Sequence, residues 1–142
     1  MEILHGNLFD SKLNYLVNPV NCVGVMGKGL AKEFKLKYPD MFNSYNYMCK
    51  YHKIKIGKPV IWENPNADDK NIILFPTKNH WRSASQLEWI EEGMQYFIDN
   101  IYDGNNNAAF PLLGAGLRGL NTIVVFCTIK EYLKDTDCEI WV

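Results

Sequence analysis

The 142-residue sequence contains no long hydrophobic run. No stretch approaches the roughly 20 consecutive apolar residues that a membrane-spanning helix needs. The first residues also lack the basic segment and the apolar run of a secretory signal. We therefore expect a cytoplasmic protein with no membrane partner.

Cysteine and histidine are scarce, and none of them is spaced for metal binding. There is no CxxC pair, no HExxH sequence and no Cys/His cluster at zinc spacing. We therefore expect no metal site and no cofactor. The cysteines are predicted to be reduced, buried thiols, and they are Cys22, Cys49, Cys127 and Cys138.

The sequence has almost no net charge. Fifteen Lys and Arg against sixteen Asp and Glu give −1, with a pI near 6.3. Such a balance excludes a global basic field, so any nucleic-acid contact has to be local. The 47% hydrophobic and 22% charged residues are typical of a globular protein. The length fits one domain, residues 1–142, which we expect to be monomeric.

Short apolar or β-branched segments alternate with segments of helical spacing. The first kind predicts strands over 1–5, 15–18, 59–63, 71–75, 108–111 and 138–142. The second kind predicts helices over 30–38, 40–51 and 87–101 and one after position 121. Pro19 is expected to end the second strand because it cannot donate to a sheet. Mixed strands and helices of this kind indicate a three-layer α/β domain.

Polar residues mark the expected helix starts. Asp40 is a predicted N-cap for the second helix, and Asn121 for the last. Ser85 and Glu88 have the spacing of a capping box at the start of the third helix.

Two glycine-rich segments each follow a predicted strand and precede a predicted helix. They are GVMGKGLA at 24–31 and GAGLRGL at 114–120. The first matches neither GxxxxGK[ST] nor GxGxxG, so a magnesium-holding P-loop is not expected there. Each is either a tight turn that needs glycine or a loop whose backbone N–H groups approach a ligand. Two such loops at one sheet edge would bracket a diphosphate.

Polar residues also follow the predicted strands. Asn18 and Asn21 lie in NPVN, and a buried amide there either bonds its own turn or fixes a sugar hydroxyl or carbonyl oxygen. Lys78, in FPTKNHWR, is either a surface cation or a partly desolvated amine that attacks a sugar carbon. Trp81 either stacks on a base or covers the sheet edge.

Three segments in this order and spacing, NPVNCVGVMGKGLAKEFKLKYP, FPTKNHWR and PLLGAGLRGL, resemble a macrodomain. The similarity covers nearly the whole chain and is strongest to the branch of the DarG antitoxin and the terminal ADP-ribose protein glycohydrolase. It implies an α/β/α fold with a mixed six-stranded sheet. It also implies a hydrolase that removes ADP-ribose from DNA thymine or a protein carboxylate. The alternatives are a non-catalytic ADP-ribose-binding module and an ADP-ribose 1''-phosphate phosphatase.

The resemblance also implies residue roles. Lys78 would act at C1 of the distal ribose, with Asn21 facing that ribose as the second catalytic residue. The family's GDLF reads GNLF here, so Asn7 would accept the adenine hydrogen bond without a negative charge. The implied ADP-ribose contacts are Asn7, Leu8, Asn18, Gly24, Val25, Met26, Gly27, Lys28, Gly29, Thr77, Leu113, Gly114, Ala115, Gly116 and Leu117.

A nucleic-acid-binding rim is also expected, on His80, Trp81, Arg82 and Arg118. Arg118 stands where the glycohydrolase carries an acidic catalytic residue and the antitoxin branch carries glycine. The absence of an acidic residue at this position makes the chain more similar to the antitoxin than to the glycohydrolase, and the resemblance therefore implies antitoxin-like chemistry. Its Arg118 would contact the diphosphate, a nucleic-acid phosphate or solvent, and the acidic partner of Lys78 is not identified.

Overall fold

The computed structural model describes residues 1–115 and 119–142. The strands are β1 (Glu2–Leu4), β2 (Tyr15–Asn21), β3 (Val60–Trp62), β4 (Asn71–Lys78), β5 (Ala108–Phe110) and β6 (Glu139–Trp141). The helices are α1 (Gly29–Lys37), α2 (Pro39–Lys50), α3 (Leu87–Tyr96) and α4 (Thr122–Leu133). A 3₁₀ turn covers Leu8–Asp10, and α3 continues as a π-helical turn over Phe97–Ile101. Within the described ranges, no helix is long and apolar enough to cross a bilayer.

The six strands form one mixed sheet in the order β1-β6-β5-β2-β4-β3. Every neighbouring pair is parallel except β3 with β4, which is antiparallel at the sheet edge. The long central strands β2 and β4 pair from Tyr15–Asn71 to Asn21–Lys78. The carboxyl ends of β2, β4 and β5 therefore lie at one edge, where both glycine-rich loops begin.

Helices cover both faces of the sheet and enclose two separate cores. One core packs α3 and α4 against the sheet, with Phe97 edge-to-face on Phe110 at 5.1 Å between ring centroids. The other packs α1 and α2 against the opposite face, through Phe34 and Tyr45, both fully buried. The predicted three-layer α/β/α fold with a mixed six-stranded sheet is confirmed.

The expected end of β2 at Pro19 is wrong. The strand continues to Asn21, and Pro19 pairs with Phe75 of β4. On its other side β2 pairs with β5 only at Tyr15 and Leu16. The strand has a single neighbour at Pro19, so a missing N–H is tolerated as it is on an edge strand.

Two predicted helix caps are also wrong. α2 begins at Pro39, with Tyr38 as N-cap, so Asp40 lies within the first turn. Gln86 precedes α3 without a side-chain cap, and Ser85 Oγ is buried with no partner among the described residues. The predicted Asn121 cap is confirmed, because its side chain accepts from the N–H groups of Ile123 and Val124. Cys127, expected to be buried, is exposed on α4.

Candidate active site

The candidate site lies where β2 and β4 end side by side. Asn21 is the register partner of Lys78. The N–H of Cys22, the next residue, donates to the carbonyls of Lys78 at 3.1 Å and Asn79 at 3.3 Å. The two residues predicted to be catalytic are therefore held together by the sheet itself.

A β-bulge sets this pairing. Val20 pairs with Pro76 but Asn21 pairs with Lys78, so Thr77 is an extra residue on β4. A bulge bends a strand and changes the direction of the side chains that follow it. Thr77 is buried and Lys78 is half-buried. No described carboxylate forms an ion pair with the Lys78 amine.

Asn21 organises the first glycine-rich loop. Its Oδ1 accepts from the N–H groups of Val23 at 3.1 Å and Val25 at 3.3 Å, and its Nδ2 donates to the Val25 carbonyl at 2.7 Å. Most contacts of the Asn21 amide are therefore hydrogen bonds within its own turn, which is one of the two interpretations that the sequence allowed. One Nδ2 hydrogen remains for a ribose hydroxyl.

Tyr45 of α2 supports Asn21 from below. Its hydroxyl lies 2.7 Å from the main-chain oxygen of Asn21 and 2.8 Å from Oδ1. Burial raises the pKa of Tyr45 above its ordinary value, so the hydroxyl stays protonated and donates. From the sequence, Tyr45 is placed only within the predicted helix over 40–51. The available signal was that a buried tyrosine hydroxyl needs a partner.

The rest of the first loop combines a close backbone approach with a free helix start. Gly24 has φ +85°, and a Cβ there would lie 3.0 Å from Nδ2 of Asn46, which donates to the Gly24 carbonyl. Lys28 is the N-cap of α1 and makes no side-chain cap bond. The first N–H groups of α1 are therefore available to an anion. The exposed loop residues are Val25, Gly27, Lys28 and Gly29.

Asn18 and Met26 lie beneath this loop, in the core. Asn18 is fully buried, with its Nδ2 3.8 Å from the sulfur of Met26 and 3.9 Å from that of Met41. Its Oδ1 has no partner among the described residues. Both residues, predicted as ligand contacts, support the loop from inside.

The second glycine-rich loop is described at both of its ends. Leu113 is buried, Gly114 has φ +68°, and a Cβ at Gly114 would lie 3.2 Å from both Cβ and Oγ of Ser85. The N–H of Leu120 donates to the Gly114 carbonyl at 2.8 Å. The predicted contacts Gly116 and Leu117 and the rim residue Arg118 fall outside the described residues, and Ala115 is half-buried at the loop's start.

The remaining predicted site residues lie in two other places, at the 3₁₀ turn after β1 and beyond the end of β4. Asn7, expected at the adenine, accepts from the Phe9 N–H at 3.0 Å and caps the 3₁₀ turn, while Leu8 is buried behind it. On the far side, His80, Trp81 and Arg82 form an exposed stack just beyond Lys78. The His80 ring stacks on Trp81 at 5.2 Å, and the Arg82 guanidinium lies 4.4 Å from the Trp81 ring centroid.

A mixed sheet between two helical layers, with glycine-rich segments after β2 and β5 and an asparagine–lysine pair at the carboxyl edge, defines an α/β domain with a polar site at that edge. The Macro domain family model matches residues 17–126, and the chain belongs to the macrodomain family.

Named relatives and solved structures extend the comparison. The chain is 45% identical over 141 residues to the DNA ADP-ribosyl glycohydrolase of Mycobacterium tuberculosis, covering 96% of this chain and 40% of that protein. It also matches Thermosipho africanus DarTG in complex with ADP-ribose, with a TM-score of 0.90 at 31% identity, covering 99% of this chain and 41% of that one. An ADP-ribose 1''-phosphate phosphatase of Aspergillus oryzae is 38% identical over 104 residues, 61% of this chain and 52% of that protein. The chain thus spans about 40% of the length of the glycohydrolases it matches.

Proposed function

We propose that this chain is an ADP-ribosyl hydrolase that removes ADP-ribose from a modified nucleobase in DNA. The observation that carries the proposal is Lys78 opposite Asn21, at the sheet edge where both glycine-rich loops begin. The glycohydrolases that match nearly the whole chain support the reaction and the DNA substrate.

The ligand would lie across the carboxyl edge of the sheet. The free N–H groups at the start of α1 attract the diphosphate, as helix N-termini attract anions. The described start of the second loop, Gly114 and Ala115, lies after β5 at the same edge of the sheet. The distal ribose then lies above Asn21, within reach of the Lys78 amine.

Lys78 acts at C1 of the distal ribose. The neutral amine is the nucleophilic form, and its attack forms a C1–Nζ bond while the bond between C1 and the modified group breaks. The leaving group takes up the proton that Nζ loses. Water then replaces Nζ at C1, which regenerates the lysine and releases ADP-ribose. The Asn21 amide, fixed by four hydrogen bonds, holds the sugar in one orientation without losing side-chain entropy on binding.

The exposed stack beyond Lys78 supports DNA as the modified macromolecule. Trp81 is 46% exposed, with Arg82 over its ring. An exposed indole stacks on an unpaired base, and the cation beside it pairs with a nearby phosphate. Both residues lie within four positions of Lys78 in the chain, so they would contact the nucleotides beside the modified one.

The first experiment compares wild type with Lys78→Ala on thymine-ADP-ribosylated single-stranded DNA, following free ADP-ribose by mass spectrometry. We expect Lys78→Ala to lose at least about 100-fold in turnover, while calorimetry shows unchanged ADP-ribose binding. Lys130→Ala, which removes an exposed lysine on α4, is the matched control and should behave as wild type. Release by Lys78→Ala at the wild-type rate would overturn the role of Lys78, and no release by the wild type would overturn the proposed hydrolase.

A second candidate is an ADP-ribose 1''-phosphate phosphatase, favoured by the Aspergillus relative. It uses the same pocket, with a phosphate in place of the modified base. Incubation with ADP-ribose 1''-phosphate and measurement of inorganic phosphate distinguishes the two. Binding of ADP-ribose without release from any of these substrates, or from glutamate-ADP-ribosylated protein, would instead identify a binding module.

A further inference from the structure

The near-zero net charge conceals a strong asymmetry along the chain. Residues 28–62 hold eight of the fifteen Lys and Arg but only two of the sixteen Asp and Glu. This segment, which forms α1, α2 and β3, carries a net charge of +6, and the remainder carries −7. All eight lysines are exposed, and none forms an ion pair with a described carboxylate. One helical layer is thus electropositive.

Part of this layer combines cations with exposed aromatic rings. We call it the basic–aromatic strip, and it consists of Tyr47, Lys50, Tyr51, His52, Lys53 and Lys55. Tyr47 is 59% exposed and Tyr51 57%, with ring centroids 4.6 Å apart. There is no Asp or Glu anywhere from residue 41 to residue 62. Exposed tyrosines between lysines are typical of surfaces that stack bases and pair with phosphates.

The strip lies directly behind the candidate site. A cavity of about 430 Å³ lies between Lys50 and His52 of the strip and Cys22 and Val23 after β2, and Asn46 and Cys49 complete its lining. The N–H of Cys22 bonds the Lys78 carbonyl, so the cavity is one residue away from the catalytic pair. Burial raises the pKa of Cys22, and raises that of Cys49 to about 11, so neither thiol adds negative charge at neutral pH.

His52 is the described non-glycine residue with positive φ, +55°. It ends α2 in a Schellman motif, in which His52 N–H donates to the Cys49 carbonyl and Lys53 N–H to the Met48 carbonyl. Glycine usually takes this position because a side chain in the left-handed region costs stability. From this position the His52 side chain lines the cavity.

We propose that the basic–aromatic strip binds the single-stranded DNA that flanks the ADP-ribosylated base. The inference rests on the proposed function for the identity of the substrate. Lys50, Lys53 and Lys55 contact successive phosphates, and the exposed tyrosine pair stacks on unpaired bases. Double-stranded DNA offers the same phosphates but no free base faces, so single strands bind more tightly.

The test measures binding of a fluorescent, unmodified, thymidine-rich oligonucleotide by anisotropy over a range of salt concentrations. The triple variant Lys50→Gln/Lys53→Gln/Lys55→Gln should make the slope of log K against log salt less negative by about 2, at about 0.7 per lost phosphate contact. The control is Lys32→Gln/Lys35→Gln/Lys37→Gln on α1. It removes the same charge from exposed positions of a helix that runs away from the carboxyl edge, and it should keep the wild-type slope.

His52→Gly separates binding from folding. Glycine relieves the left-handed conformation, so the Tm should be unchanged or rise by up to about 4 °C. Oligonucleotide binding should nevertheless weaken. A variant that is at least as stable as wild type but binds less well identifies a role of the side chain itself.

The activity measurements distinguish this inference from the proposed function. The strip variants should keep wild-type ADP-ribose binding and wild-type release from ADP-ribosyl-thymidine, while KM rises on a modified oligonucleotide. If the protein binds the oligonucleotide through the strip but has no hydrolase activity, the proposed function is overturned. The inference that the strip binds DNA is then retained. No oligonucleotide binding by wild type, identical binding by the triple variant, or loss of turnover only on ADP-ribosylated protein would overturn the inference.

Discussion

The two glycine-rich loops occupy equivalent places at the sheet edge but are held by different forces. Hydrogen bonds from side chains hold the first loop, through Asn21, Tyr45 and Asn46. Close packing holds the start of the second, where Gly114 lies against Ser85 and the neighbouring Ser85 hydroxyl has no described partner. Gly24 of the first loop is also closely approached, so added volume does not distinguish the two loops by itself. The first loop differs in having a network of side-chain hydrogen bonds to lose, and loss of a donor should therefore affect it specifically.

The largest effect is expected from added volume at the second loop. Gly114→Ala places a Cβ 3.2 Å from Ser85 in the left-handed region, at a cost of about 2–3 kcal/mol. Urea unfolding should show this loss together with weaker ADP-ribose binding. Gly104→Ala is the control, because Gly104 also has positive φ, +93°, but has open space around it. It should lose only about 1 kcal/mol. Equal losses at the two glycines would contradict the packing argument.

Removal of a hydroxyl should affect the first loop. Tyr45→Phe keeps the ring in the core but takes a donor from both oxygens of Asn21, which we expect to cost about 1–2 kcal/mol of stability. ADP-ribose affinity, measured by calorimetry, should fall as the loop loosens. Tyr47→Phe, on the exposed face of α2, should leave stability and ADP-ribose affinity at wild-type values. Unchanged stability in Tyr45→Phe would mean that Asn21 alone fixes the loop.

The smallest effect should have the opposite sign. Ser85→Ala removes a buried hydroxyl that no described group satisfies while keeping the Cβ that contacts Gly114. We expect a gain of up to about 1 kcal/mol in the free energy of unfolding, with ADP-ribose binding retained. A clear loss of stability would show that the hydroxyl has a partner and that the second loop, like the first, depends on a hydrogen bond.

Local patterns in the sequence were sufficient for the element order. All six strands, all four helices and the three-layer arrangement follow from hydrophobic spacing and turn residues. The Asn121 cap was predictable for the same reason, since its partners are two and three residues away. The errors at Pro19 and Ser85 arose because neighbouring elements, absent from a local pattern, decide whether a proline fits and which residue precedes the helix.

The site was predictable in outline but not in its supports. Lys78 and Asn21 end adjacent strands, as expected from their position after apolar runs. The bond from Tyr45 joins residues 24 positions apart, and no local pattern reports such a contact. The asymmetry of charge was already present in the sequence, but the whole-chain sum concealed it.

The β-bulge at Thr77 determines which side chain of β4 stands opposite Asn21. In an unbroken ladder Thr77 would stand opposite Asn21, and the bulge gives that place to Lys78. Loss of the bulge, with no insertion or deletion, would thus place a hydroxyl rather than an amine opposite Asn21, whereas deletion of Thr77 would leave the lysine there. The chemical group that β4 offers at this point therefore depends on one step of strand pairing and on no change of architecture.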